Sequence, residues 1–216
     1  LDNFSRAYTE FLDQEARTEA SSLLPVLFDP TKGPLHKQEP GDPYYVALRA
    51  VFDEHASRET RVKQAHEALQ ADRRIITPMM DNFSTEIERL DQTVLRLVEA
   101  ANSIRDSQTR SDAVGISRRA REIQTGFASL RELYADEFSK RRRILERVID
   151  DGGTMRTSRM FEQDATAIEA DRKRGDQGRA AVESAVSSLK DAFSALKGKV
   201  GLREFPRNWT RSGGAD

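Results

Sequence analysis

One apolar stripe constrains this chain more than anything else in it. Steps of four and three residues from Leu48 land on Phe52, His55, Glu59, Val62, His66, Leu69, Arg73, Ile76, Met80, Phe83, Ile87, Leu90, Val94, Leu97, Ala101 and Ile104. From Ile76 onward every one of these positions is apolar. Such a heptad run keeps one stripe against a neighbouring helix along its whole length. A helix over 43–106 would measure roughly 95 Å at 1.5 Å per residue, more than an ordinary globular domain is wide. The stripe therefore predicts an all-α fold, an elongated antiparallel helical bundle or coiled coil with one very long helix. Pro78 lacks an N–H and crowds the preceding turn, so the helix should kink there. Because the apolar phase holds across Pro78, it should not break.

The rest of the chain reads as helices over 2–24, 112–149 and 154–199 in one elongated domain, 1–200, with a flexible tail over 201–216. Leu1, Phe4, Tyr8, Phe11 and Leu12 give the first helix its apolar face, and Pro25 disfavours helical geometry at Leu24. An irregular connector over 28–42 leads to Asp42 and Pro43, a strong helix start. The third helix carries Ile116, Ala120, Ile123, Phe127, Leu130, Tyr134, Ile144 or Leu145, and Val148. Asp151, Gly152 and Gly153 stop it. The fourth carries Phe161, Ala165, Ile168, Arg172, Gly175, Arg179, Val182, Val186, Leu189, Phe193, Leu196 and Val200. Gly175 and Gly178 weaken its middle, so a hinge at 174–178 is one expectation. Short connections favour antiparallel neighbours.

Charged residues make up 33% of the chain and hydrophobic ones 37%, a balance suited to helices with much of their surface in water. The formal net charge of −1 gives no overall push toward nucleic acid. Charge is nonetheless uneven: residues 1–43 carry a net −4 and residues 112–216 a net +4. The absence of cysteine excludes disulfides, thiolate metal sites and a cysteine nucleophile, and fits the cytosol. No apolar run reaches membrane-spanning length. With no methionine at position 1, the chain reads as a segment of a longer protein.

His55, Glu59 and His66 share one helical face and could together hold a divalent metal. Neither H-E-x-x-H nor E-x-x-H accompanies them, so a polar stretch that fixes register is the stronger reading and no metal is assigned. Arg73, Arg141, Arg172 and Arg179 also fall on stripe positions, with Glu137 near Arg141. They read as snorkelling or locally paired bases, since no glycine-rich phosphate loop is present. Lys140, Arg141, Arg142, Arg143 and Arg147 form the densest basic cluster, and Arg118, Arg119 and Arg121 a second. Within these, Arg118, Arg119, Lys140, Arg143 and Arg147 are the candidate surface for anionic lipid or a partner. No aromatic residues interleave with them for base stacking, which disfavours nucleic acid. Phe205 and Trp209 make the tail a candidate docking segment. The Arg-Gly-Asp tripeptide at 174–176 and the sequons at Asn3, Asn82 and Asn208 are short matches with no supporting context. No nucleophile elbow, phosphate loop, dinucleotide fingerprint or kinase set occurs, so no catalytic residue and no cofactor is assigned.

The leading expectation is a non-enzymatic cytoplasmic scaffold or adaptor, binding protein partners along the helical seam and forming a homodimer. The alternative, from the long kinked helix, the antiparallel hairpins and the basic clusters, is a membrane-surface module that resembles the BAR type in design and would sit peripherally at a membrane. A weaker third reading is a helical sensor or secreted effector domain.

Overall fold

The computed structural model describes residues 1–23, 51, 55–154 and 158–201. The expectations for Leu48, Phe52, the connector, the Asp42–Pro43 start and the tail with Phe205 and Trp209 lie outside them, as do the side chains of Phe161 and Ala165.

The described chain is all-α, with four helices packed antiparallel in sequence order. α1 is Asp2–Ser22. α2 comprises Arg58–Ala71, a π-helical turn at Asp72–Ile76, and Thr77–Asn102, one helix of 45 residues. α3 is Ser107–Asp150 and α4 is Ser158–Val200. Two compact units divide the chain: Leu1–Ser21 with Phe83–Leu130 and Gln177–Asp216, and Ser22–Asn82 with Arg131–Asp176.

From Phe83 onward the apolar stripe lies in the core of the first unit. Phe83, Leu90, Val94, Leu97 and Ala101 are fully buried, and Ile87 and Ile104 nearly so. Phe83 meets Phe127 of α3 edge-on at 6.4 Å. Tyr8 of α1 stacks on Phe193 of α4 at 3.7 Å, and Phe4 lies 6.4 Å from the same ring. At Gly126 a Cβ would come within 2.6 Å of Val182 Cγ2, so the missing side chain is what lets α3 and α4 close up there. The heptad on α1 continues past Phe11 with polar residues. Gln14 donates to the Glu86 carboxylate and Thr18 to the Glu86 carbonyl, so this buried polar face is hydrogen-bonded.

Two expectations about the long helix are corrected. Residues 55–57 are not helical. α2 starts at Arg58 because Ser57 is extended and its hydroxyl accepts from the Thr60 N–H at 3.2 Å, a local N-cap that ends any helix arriving from upstream. The phase of the stripe also slips by one residue upstream of Ile76. The buried positions there are Arg61, Ala65, Ala68, Ala71 and Asp72, whereas Glu59, His66 and Arg73 are exposed. The π turn supplies the extra residue, with the Thr77 N–H donating to the Asp72 carbonyl. Without that slip the stripe would bury His66 and Arg73 and expose Ala65 and Ala68. The slip sits one turn before Pro78, where the proline already removes a helical hydrogen bond.

In the second unit α3 follows its heptad through Tyr134, Glu137, Arg141, Ile144 and Val148, which fills the gap left in the sequence reading. α4 runs unbroken through Gly175 and Gly178, so no loop interrupts the helix at 174–178. A Cβ at Gly175 would sit 3.2 Å from the Tyr134 ring, so this glycine serves close helix packing. α3 begins one turn earlier than the spacing predicted. Asp106 caps it, its carboxylate accepting from the Thr109 N–H at 2.7 Å, and hydrogen bonding to Thr109 holds that carboxyl below the usual range.

Candidate functional site

The most organised polar cluster among the described residues is a buried ion-pair layer in the second unit, built by α2, α3 and α4. Three buried acids define it: Asp72 at 3% exposure, Glu137 at 4% and Asp171 at 2%. Burying a carboxylate alone is expensive, so each requires a cation. The basic run on α3 supplies them in consecutive positions. Lys140 pairs with Asp171 of α4, Arg141 with Glu137 one turn back, and Arg142 with Asp72 at the π turn of α2. Four consecutive helical residues point in different directions, which is why one short run can serve two neighbouring helices. Arg174 gives Asp171 a second partner, and Asp136 gives Lys140 a second carboxylate at 2.9 Å. Arg142 Nη2 also donates to Thr77 Oγ1 at 3.3 Å, so one guanidinium ties both ends of the π turn.

These contacts locate the basic residues singled out from sequence. Lys140 is half-buried and committed to two acids. Arg143 and Arg147 are exposed on the second unit, and Arg118 is exposed on the first. Arg119 is half-exposed and donates to the Gly115 carbonyl at 3.4 Å. Arg118 and Arg119 thus belong to the first unit, and Lys140, Arg143 and Arg147 to the second. His55, Glu59 and His66 are all exposed, His55 ahead of the helix. No group of three or more potential ligands that could hold a metal occurs among the described residues. Asp72 and Asp171 were missed because each stands one residue off the expected stripe. Glu137 carried a legible signal, since it continues the α3 heptad three residues after Tyr134.

The first unit has an open depression of about 340 Å³ between α1 and α2, with Asn3, Arg6, Glu10, Arg96, Glu99 and Ser103 in its wall. Its two acids balance its two bases, and Arg96 Nε lies 3.7 Å from Glu10 Oε2.

Two predictions follow from the ion-pair layer. Arg142→Ala leaves Asp72 buried without its guanidinium and should destabilise by about 2 kcal/mol, tempered by the partial exposure of Arg142. Asp72→Ala combined with Arg142→Ala should lose less than the two single changes summed, by about 1 kcal/mol in denaturant melts. Strict additivity would refute the pair. The second prediction concerns alkaline pH. Asp171, then Asp136, raises the Lys140 pKa above its ordinary 10.5. A raised lysine pKa stabilises the fold fully below the unfolded value, and the contribution fades as pH climbs through the folded value. Lys140→Gln should therefore flatten the loss of stability above pH 10.5; a wild-type slope in the variant would exclude Lys140 as its source.

No family model matches this chain, and no curated protein or solved structure matches it either.

Proposed function

We propose that this chain is a non-enzymatic helical scaffold that presents its outward helix faces to a protein partner, including a second copy of itself. The observation that supports this reading is the ion-pair layer. Asp72–Arg142 links α2 to α3, and Lys140–Asp171 links α3 to α4. Buried charge pairs of this kind tolerate no slip between helices, because each alternative register leaves a carboxylate unpaired. A fixed register holds surface positions at fixed spacings, which is what a scaffold requires. The apolar stripe from Ile76 to Ile104 is covered by the chain itself, so the proposal puts the partner on outward positions. Leu95 at 40% exposure is the large apolar side chain that α2 leaves outside.

Sedimentation velocity across the micromolar range tests the self-association part. The expected result is a concentration-dependent dimer weakened by Leu95→Asp. A strict monomer at every concentration would reject self-association, and a dimer indifferent to Leu95→Asp would move the contact to another face.

A further inference from the structure

The outward face of α3 within the first unit carries charge of a single sign. Arg110, Val114, Arg118 and Arg121 are all exposed. At 100° per residue they fall within one narrow sector opposite the buried Ile116, Ala120 and Ile123. Ser107, Ser111 and Thr125 complete the sector and are neutral. Val114 sits at its centre with 41% of its surface exposed. Among the described residues no ion pair engages Arg118 or Arg121. Arg110 shares its charge with the capping Asp106 and donates to the Arg105 carbonyl at 3.3 Å. Glu122 stands at the flank, and the nearby Asp112 is taken by Lys199 at 2.9 Å. The outward positions of α3 in the second unit are different in kind: Arg143 and Arg147 stand among the exposed Glu132, Asp136, Glu146 and Asp150.

We propose that Arg110, Val114, Arg118 and Arg121 form a docking stripe for the anionic phosphate headgroups of a membrane surface. Three guanidinium groups spread over about 16 Å of a convex helix face suit a plane of phosphates better than an enclosed ligand. An exposed aliphatic side chain between them can settle among the headgroups, where a purely electrostatic contact with an acidic protein has no use for it. Aromatic residues, which single-stranded nucleic acid would use for stacking, are missing from positions 103–125. The stripe stands apart from the scaffold reading: a scaffold without it remains a scaffold, and a membrane-bound chain need not dimerise.

The test is co-sedimentation of the chain with vesicles of phosphatidylcholine alone and with added phosphatidylserine, across a salt series. The expected result is binding only to the anionic vesicles, falling as salt rises. Arg118→Gln with Arg121→Gln should weaken it roughly 25-fold, about fivefold per arginine, with the helical circular dichroism unchanged. Arg143→Gln with Arg147→Gln should leave it within roughly twofold. Equal losses in the two double variants would overturn the assignment to this stripe. So would no binding at low salt, and retention on heparin without vesicle binding would point instead to an acidic macromolecule.

Discussion

Leu90→Asp should remove the cooperative thermal transition of the first unit. Leu90 is fully buried in the middle of the α2 stripe, with Phe83, Val94 and Leu97 equally buried along the same face. The substitution removes most of the side chain's apolar contact and places a carboxylate where no base stands on the neighbouring stripe positions. Leu90→Ala alone should destabilise by about 3 kcal/mol, the transfer and cavity penalty together. The aspartate adds desolvation of a charge and should exceed about 4 kcal/mol, a large share of the 5–15 kcal/mol typical of a whole domain. Helical circular dichroism against temperature reads the result. An unchanged melt for Leu90→Asp would mean that this stripe is not the core.

Gly153→Ala should be the most damaging change outside a hydrophobic core. α3 ends in a Schellman motif, with Gly153 N–H donating to the Val148 carbonyl at 2.8 Å and Gly152 N–H to the Ile149 carbonyl at 3.0 Å. Both glycines have positive φ, 57° at Gly152 and 77° at Gly153. They differ in what surrounds them. Around Gly152 a Cβ would meet nothing within 4 Å, whereas at Gly153 it would run into the backbone of Arg58, 2.7 Å from the carbonyl carbon and 2.8 Å from Cα. Backbone at the start of α2 cannot swing aside as a side chain can, and Arg61 Nη1 reaches the Gly153 carbonyl at 3.4 Å from the same helix. Gly152→Ala should therefore carry only the left-handed backbone penalty, about 1–2 kcal/mol. Gly153→Ala adds the clash and should reach about 3 kcal/mol or more. Urea melts of the pair separate the two effects. Equal losses would show that the turn does not press on α2.

The two positions also mark how far the sequence reached. Leu90 was legible because heptad periodicity is a local property: nine apolar residues at alternating three and four residue steps from Ile76 admit one helical face, and all nine are buried. The stop at Gly152 was legible from composition alone. That Gly153 must also be small because α2 begins beside it was not, since the two sites are nearly a hundred residues apart in the chain.

The ion-pair layer shows the same limit from the polar side. A run of four bases on α3 reads as surface charge; acids on the neighbouring helices engage Lys140 and Arg142, while Arg141 is paired on α3 itself by Glu137. Arg142 and Asp72 are 70 residues apart in sequence, and nothing local to either names the other. The polar half of the α2 stripe misled for a related reason. His55, Glu59, His66 and Arg73 fit the period, but Ala65 and Ala68, one residue away, fit it equally well and are cheaper to bury. The sequence could have offered that alternative. It could not choose the π turn that switches between the two phases, because the turn is held by Arg142.

What this sequence determines by itself is the helical class, the apolar faces and the stop at Gly152, because each depends on residues within a turn or two of one another. Tertiary packing decided which phase of α2 is buried, which bases are spent on internal acids and which arginines remain outward on α3. Those outcomes turn on desolvation: a charge near a helix face is stable inside only if an opposite charge meets it, and for Asp72 and Asp171 the cation comes from α3, which is not written locally.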